Sequence, residues 1–237
     1  MARYPEIDAL RTIAIFMMVV YHTLWDLENL YGWPILRSLG VGGRLFARTT
    51  AILFLLLVGV NFAIARLRNP SYERVLWRAA RILGAAILVS LATYMFDPET
   101  FVRFGVLHLI GVSVLLLPLS ASLREWNALL GIAVIALGTA PEGMTVGTPM
   151  LLPLGITPPH FTTVDYFPLF PWLGVILLGV SVGHLLYIRA PAWRRFSILT
   201  SRFSILTWPG RHSLLLYLLH QPLILVTITL ILGKPTL

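Results

Sequence analysis

Seven apolar segments follow one another along the chain, separated by more polar stretches. A helix needs about 20 mostly apolar residues to cross the ~30 Å hydrocarbon core of a bilayer, and most of the segments approach that length. The pattern predicts an all-α polytopic membrane bundle of about seven transmembrane helices, built as a single domain over residues 1–237. The predicted helices lie near residues 10–27, 45–65, 79–96, 104–119, 127–140, 167–188 and 214–232.

Arginine is distributed unequally between the loops of this arrangement. The second and sixth loops are rich in it, whereas residues 141–166 contain neither lysine nor arginine. Because cytoplasmic loops carry the excess of basic residues, this predicts a cytoplasmic N-terminus and a C-terminus on the outer side. The fifth segment is the shortest, but it must cross. Otherwise the two basic loops would lie on opposite sides of the membrane.

The composition agrees with a membrane location and narrows the chemistry. Hydrophobic residues make up 57% of the chain and charged residues 12%, whereas charged residues make up roughly a quarter of a soluble domain. Cysteine is absent, which excludes disulfides and thiolate metal sites. The net charge of +8 comes from arginine, since Lys234 is the only lysine. We expect the lipid bilayer as a partner and no nucleic acid.

A stripe of ionisable residues runs along the first predicted helix. Arg11 and His22 are eleven residues apart, which is three helical turns plus about 20°, so they share a face. Asp26 follows His22 by one turn on that face. Ionisable groups inside a membrane span are costly and suggest function. A carboxylate one turn from an imidazole can orient the ring as a general base. The alternative is a buried pair that only fixes helix packing.

The fourth predicted helix adds a further histidine at a similar depth. At about 1.5 Å per residue, His22 lies ~18 Å from the cytoplasmic end of its helix. His108 lies about one turn below the outer surface, because its helix runs in the opposite direction. We therefore expect His22, Asp26 and His108 to converge in the outer half of the membrane. The alternative for His108 is a hydrogen-bond partner between helices.

The last predicted helix carries a polar stripe of its own. Ser213, Tyr217 and His220 follow one another at i, i+4 and i+7, so they lie on one face. Pro222 withholds a backbone donor just after His220, which would leave a free carbonyl beside the histidine. This combination is typical of a cavity wall inside a bundle. For His220, as for His108, an ordinary interhelical hydrogen bond is the alternative.

Basic residues gather at the predicted cytoplasmic ends of the helices. Guanidinium groups bind phosphate in a bidentate manner, so these residues could hold a polyanion, although topology alone accounts for most of them. The sequence contains no glycine-rich phosphate loop and no histidine spacing typical of a helix-borne zinc site. A duplication of the sequence RFSILT at residues 195–200 and 202–207 is read as a local event without a role in a site. The basic candidates are Arg11, Arg81, Arg211 and, near them, His212.

Several segments resemble a known family when they are taken in order. The segment EIDALRTIAIFMMVVYH is similar to the first-span signature of membrane-bound acyltransferases, in which histidine follows arginine after ten residues. The segments GVLHLIGVSVLL, DYFPLFPWLGVILLGVSVG and GRHSLLLYLLHQPLIL resemble bacterial relatives of the heparan-α-glucosaminide N-acetyltransferase catalytic domain. Many related sequences carry glycine after the motif arginine, where this chain has Thr12. This difference puts close packing beside Arg11 in question.

The resemblance implies acyl transfer across a bacterial cytoplasmic (inner) membrane. Acetyl-CoA would bind from the cytoplasm, and an amine or hydroxyl of a sugar-like acceptor would receive the acetyl group outside, without a metal. A homodimer is compatible with this arrangement. Together with the shared helix face and the matched depth, the motif predicts His22, Asp26 and His108 as catalytic residues. The predicted donor-binding residues are Arg11, Arg81, Arg211, His212, Tyr217 and His220.

A second class of protein fits the same residues. A small-molecule or proton-coupled transporter could use the buried histidine and aspartate as a proton relay. It would show pH-dependent flux and no affinity for coenzyme A, whereas the acyltransferase binds acetyl-CoA.

Overall fold

The structure is a computed structural model that describes residues 4–68, 71–138, 144–189 and 204–235. The described residues form α-helices and short helical turns, with two isolated β-bridges and no strand. The expectation of an all-α fold is confirmed. The α-helices are α1 (Pro5–Tyr31), α2 (Ile35–Leu39), α3 (Val41–Arg68), α4 (Tyr72–Phe96), α5 (Val106–Ser120), α6 (Asn127–Leu137), α7 (Leu169–His184), α8 (Ser204–Arg211) and α9 (Ser213–Leu232).

Six stretches of the described chain are long and apolar enough to cross a membrane. One of them, Val106–Leu137, is 32 residues long and contains both α5 and α6. The other five contain α1, α3, α4, α7 and α9. The chain is therefore an integral membrane protein. The count of seven crossings and the orientation of the termini stay predictions.

The stretch Val106–Leu137 is a helical hairpin rather than one straight helix. Arg124 has φ 51° and ψ −120°, which breaks the helix between α5 and α6. At one end of α7, Gly138 packs on Pro171; at the other, the Glu125 carbonyl accepts a 2.8 Å hydrogen bond from Ser181. Helix α6 is therefore antiparallel to α7. The Phe104 carbonyl, just before α5, accepts a hydrogen bond from the N–H just before α7, so α5 runs parallel to α7. This hairpin is what the predicted fourth and fifth segments require.

The chain divides into two compact units, and the expectation of a single domain stays a prediction. The first unit consists of Met1–Phe54 and Arg195–Leu237. In its described part, α1 begins with Pro5, whose fixed φ suits a first helical turn, and ends before Gly32, whose φ of 72° suits glycine. Helices α1 and α9 are parallel, because the Tyr31 hydroxyl at the end of α1 donates to the Gly233 carbonyl just after α9.

The second unit is Leu55–Arg194. Within it, α4 and α5 are joined by a short connection and α6 is joined to α7 by a long loop. The later part of α3 packs directly on α7, and a Cβ added at Gly59 would overlap the Ile176 carbonyl. Only a glycine allows this approach. The duplicated sequence lies mostly outside the described residues, except for Ser204–Thr207 of its second copy, which belong to α8.

Candidate functional site

The polar stripe of α1 faces α8 and α9 within the first unit. Arg11 lies near the start of α1, and His22 and Asp26 follow three and four turns later. Asp26 is 1% exposed, so its carboxylate is fully removed from the surface. His22 is half-buried. His22 and Asp26 both contact side chains of α9.

Gln221 of α9 is the partner of Asp26. Its side-chain nitrogen lies 2.9 Å from both carboxylate oxygens of Asp26. An amide nitrogen is only a donor, so both oxygens act as acceptors. The structure records no hydrogen bond between Asp26 and His22, and the orientation of His22 by Asp26 therefore stays a prediction. Sequence analysis missed Gln221, although a polar side chain between His220 and Pro222 in an apolar helix was a usable signal.

His22 packs against His220 of α9. The ring centroids are 4.8 Å apart, with an angle of 63° between the ring planes. Nδ1 of His220 lies 2.5 Å from the backbone carbonyl of Tyr217 on the same helix. Because a carbonyl can only accept, Nδ1 of His220 carries the proton, and Nε2 has the lone pair. That Nε2 atom is buried and has no hydrogen-bond partner.

Two of the predicted donor-binding arginines meet at Asp8. Nη1 of Arg11 lies 3.0 Å from one oxygen of Asp8, and Nε of Arg211 lies 3.7 Å from the other. Asp8 is 7% exposed, whereas the side chain of Arg211 is 36% exposed. Asp8 therefore holds two guanidinium groups close together at this end of α1. The sequence did not single out Asp8, because its partner Arg211 is distant in the chain.

Thr12 takes part in close packing between α1 and α8. Its hydroxyl donates to the Asp8 carbonyl and accepts from the Gly210 N–H, each at 3.0 Å. A Cβ at Gly210 would overlap the backbone of Asp8. The glycine that permits close approach beside Arg11 is therefore on the opposite helix in this chain, and Thr12 is compatible with tight packing.

The remaining predicted donor-binding residues lie in different surroundings. His212 is exposed, and its ring packs on Trp208 with the centroids 4.6 Å apart. The ring of Tyr217 lies 5.4 Å from that of His220. Arg81 is an exposed residue of α4, in the second unit. The donor-binding roles of all these residues stay predictions.

His108 lies in the second unit, at the start of α5. Its Nδ1 atom accepts from the Gly105 N–H at 3.3 Å, so Nε2 carries the proton. That nitrogen lies 3.5 Å from the Ser90 hydroxyl, which in turn donates to the Val102 carbonyl. These contacts cap α5 and connect it to α4. They correspond to the alternative of a structural hydrogen-bond partner, and the catalytic role of His108 stays a prediction.

Asp165 binds the same helix start from the long loop before α7. Its carboxylate accepts from the Val106 N–H at 3.0 Å. Burial of the carboxylate raises its pKa to about 6, and the hydrogen bond from Val106 lowers the pKa in part. The next residue, Tyr166, donates to the Leu152 carbonyl at 2.8 Å, and burial raises its pKa to about 12. The loop is therefore fixed on the second unit by polar contacts.

Glu125, at the tip of the α5–α6 hairpin, pairs with two basic residues. Its carboxylate lies 3.0 Å from Nδ1 of His184 and 3.1 Å from Nη1 of Arg189. Among the described residues, no group of three or more His, Cys, Asp or Glu side chains is arranged to hold a metal ion.

These observations define a class of protein: an all-helical integral membrane protein with histidine, aspartate and glutamine side chains between two apolar helices. The family follows from a comparison with protein-family models. The model described as "Heparan-alpha-glucosaminide N-acetyltransferase, catalytic" matches residues 3–222. The chain belongs to this family of membrane acetyltransferases. Searches of curated proteins and of solved structures each found no match.

Proposed function

We propose that this protein transfers an acetyl group from cytoplasmic acetyl-CoA to an amine or hydroxyl of a sugar-like acceptor on the outer side of a bacterial cytoplasmic membrane. The observation that carries the proposal is the family match over residues 3–222, which includes the whole of α1 and the first half of α9. Arg11, His22 and Asp26 lie on α1, and His220 and Gln221 lie on α9. The amine of a glucosaminide is the acceptor that the family description favours.

The pair of arginines on Asp8 supports a donor site at the start of α1. Coenzyme A carries several phosphates, and guanidinium groups bind phosphate oxygens in a bidentate manner. Arg211 is partly exposed and Asp8 holds it beside Arg11, so the two guanidinium groups can act together. The residues present therefore fit an anionic donor. Bound acetyl-CoA would supply the activated acetyl group.

His22 supports the chemistry further along α1. It acts as a general base on the acceptor or as a transient carrier of the acetyl group. Asp26 and Gln221 hold α1 and α9 together one turn further along, which fixes the position of His22 relative to His220. Tyr217 is within reach of the same rings and would steer the acceptor.

A transporter with a histidine and aspartate relay is the second candidate function. The buried Asp26 is the observation that favours it, because buried carboxylates in membrane helices often relay protons. Gln221, however, occupies both oxygens of Asp26. A relay would have to break that contact at every proton transfer, so we favour the acetyltransferase.

Ligand-dependent stability in detergent separates the two functions. A ligand at 100 times its dissociation constant stabilises a protein by about 2.7 kcal/mol. We expect acetyl-CoA to raise the melting temperature of the wild type and of the Thr23→Ala variant, whose lost hydroxyl only binds the Val19 carbonyl. Arg211→Gln should reduce this shift. No shift at saturating acetyl-CoA, together with pH-dependent flux into vesicles, would support the transporter instead.

A further inference from the structure

Two buried hydrogen-bond acceptors on α9 have no partner. They are Nε2 of His220 and Oε1 of Gln221, which belong to consecutive residues. His220 is only 9% exposed. A buried polar atom without a partner costs about 1–3 kcal/mol, so such atoms need an explanation, and a bound ligand is one.

The hydrogen bonds of His220 and Gln221 show whether each of these atoms donates or accepts. Nδ1 of His220 donates to the Tyr217 carbonyl, which leaves Nε2 with a lone pair and no proton. The nitrogen of Gln221 is used by Asp26, which leaves Oε1 as the remaining atom of that amide. Both atoms therefore accept hydrogen bonds and neither donates. Their complement is a group that carries N–H or O–H protons.

This requirement distinguishes the two substrates of an acetyl transfer. The thioester carbonyl and the ionised phosphates of acetyl-CoA have only acceptor oxygens, so they would be repelled by a pair of acceptors. An amine or hydroxyl group has protons to donate. Nε2 of His220 is therefore suited to the acetyl acceptor and unsuited to the donor's reacting end.

We propose that His220 is a second catalytic residue, the general base whose Nε2 atom binds and deprotonates the acetyl acceptor. This inference rests on the proposed function. The acceptor nitrogen or oxygen forms a bond to the acetyl carbon, and the bond from that carbon to the coenzyme A sulfur breaks. Nε2 of His220 takes the proton from the acceptor and returns it to the sulfur, which gives the acetylated acceptor and the free thiol.

The surroundings of His220 support this role. The Tyr217 carbonyl on Nδ1 orients the ring and stabilises the imidazolium that forms during transfer, a function often supplied by a carboxylate. The ring of His22 lies 4.8 Å from that of His220, so the two imidazoles share one site. Asp26 acts through Gln221 and is a positioning residue.

The test uses the full chain in detergent, with acetyl-CoA as donor and methyl α-glucosaminide as the probe amine. We expect His220→Ala to lower the transfer rate on the order of 10²–10³-fold, as the loss of a general base does. The melting-temperature shift with acetyl-CoA should be unchanged, and added imidazole should restore part of the rate. His220→Gln keeps a polar side chain, so it serves as the test if the alanine variant does not fold. It should lower the transfer rate by the same factor. The matched control is His160→Asn, because His160 is exposed in the outer loop at φ 56°, which asparagine tolerates.

The outcomes separate this inference from the proposed function. A rate within threefold of the wild type in either folded His220 variant would overturn the inference and leave the function standing. Loss of the acetyl-CoA shift would place His220 in the donor site, and loss of rate without imidazole rescue would contradict its role as a base. If the wild type itself shows no transfer and no shift, the proposed function fails.

Discussion

Replacing Gln221 by leucine removes the one side chain among the described residues that donates a hydrogen bond to the buried carboxylate of Asp26. The side-chain nitrogen of Gln221 lies 2.9 Å from both oxygens, and Asp26 is 1% exposed. Leaving a buried acceptor without its hydrogen-bond donor costs about 1–3 kcal/mol in soluble proteins, and more when the acceptor is charged. Hydrogen bonds between membrane helices average about 0.6 kcal/mol, since the unfolded helices find other partners in the membrane. Because both oxygens lose their donor at once, we expect a loss of about 2 kcal/mol.

A second substitution tests whether the loss of stability comes from the carboxylate that is left without a donor. In the Gln221→Leu background, Asp26→Ala removes the carboxylate that was left without a donor. The double variant should therefore be more stable than Gln221→Leu alone, by about 1 kcal/mol, because neighbouring sites that share a contact are not additive. Reversible unfolding in mixed detergent micelles measures the free energies. Thr227→Leu, a polar-to-leucine change at an exposed site of α9, should change stability by less than ~0.5 kcal/mol.

The two substitutions also define the result that would refute the reasoning. If the double variant loses the sum of the two single losses, Asp26 and Gln221 do not depend on each other. The contact between α1 and α9 would then contribute no net stability, and the fixed position of His22 against His220 would need another cause.

Three further changes test other parts of the structure. Arg211→Gln should weaken acetyl-CoA binding about tenfold, which is about 1.4 kcal/mol, as measured by isothermal calorimetry. The control Arg37→Gln, at an exposed ion pair, should leave the affinity unchanged, and equal affinities of the two variants would remove Arg211 from the donor site. Gly210→Ala should destabilise the protein by about 1–3 kcal/mol in the same unfolding assay, because its Cβ would overlap the backbone of Asp8, and a neutral result would contradict the close packing. The pKa of Asp165 rises from 3.8 to about 6 on folding, so the folded state binds more protons than the unfolded state. This residue therefore stabilises the protein fully below pH ~4, and its contribution is lost as the pH rises through about 6. Asp165→Asn should flatten this part of the stability profile between pH 4 and 6, and identical slopes would count against a desolvated carboxylate.

Local patterns in the sequence predicted the helices well, because hydropathy reports membrane segments without knowledge of their partners. Five of the predicted segments coincide with single apolar helices of the structure, and the other two coincide with the arms of the Val106–Leu137 hairpin. The prediction of the shortest segment depended on the distribution of arginine between loops, which is also a local property.

The partners of the site residues could not be predicted in the same way. The contact between Asp26 and Gln221 joins residues that are 195 positions apart, and Thr12 and Gly210 are 198 positions apart. Periodicity places a side chain on a face of its helix but does not identify the helix opposite. The natural guess for Asp26 was therefore its neighbour His22. Applying the rule for buried ionisable residues to neutral polar ones would have found Gln221.

The contacts of His108 could not be predicted for a different reason. Depth along the helix suggested that it faces a site, but the ring caps the free N–H of Gly105 at the start of its own helix. Helix starts leave backbone donors that nearby side chains can satisfy, and a histidine three residues into a helix is well placed to do so.

Transfer across a sealed membrane tests the central claim most directly. The protein is reconstituted into vesicles that contain methyl α-glucosaminide, and acetyl-CoA with a labelled acetyl group is added outside. For molecules whose cytoplasmic side faces outward, the account predicts labelled, acetylated sugar inside the vesicles, and a rate at least 100-fold lower for His22→Ala. Absence of labelled sugar with the wild type, or an equal rate with His22→Ala, would contradict it.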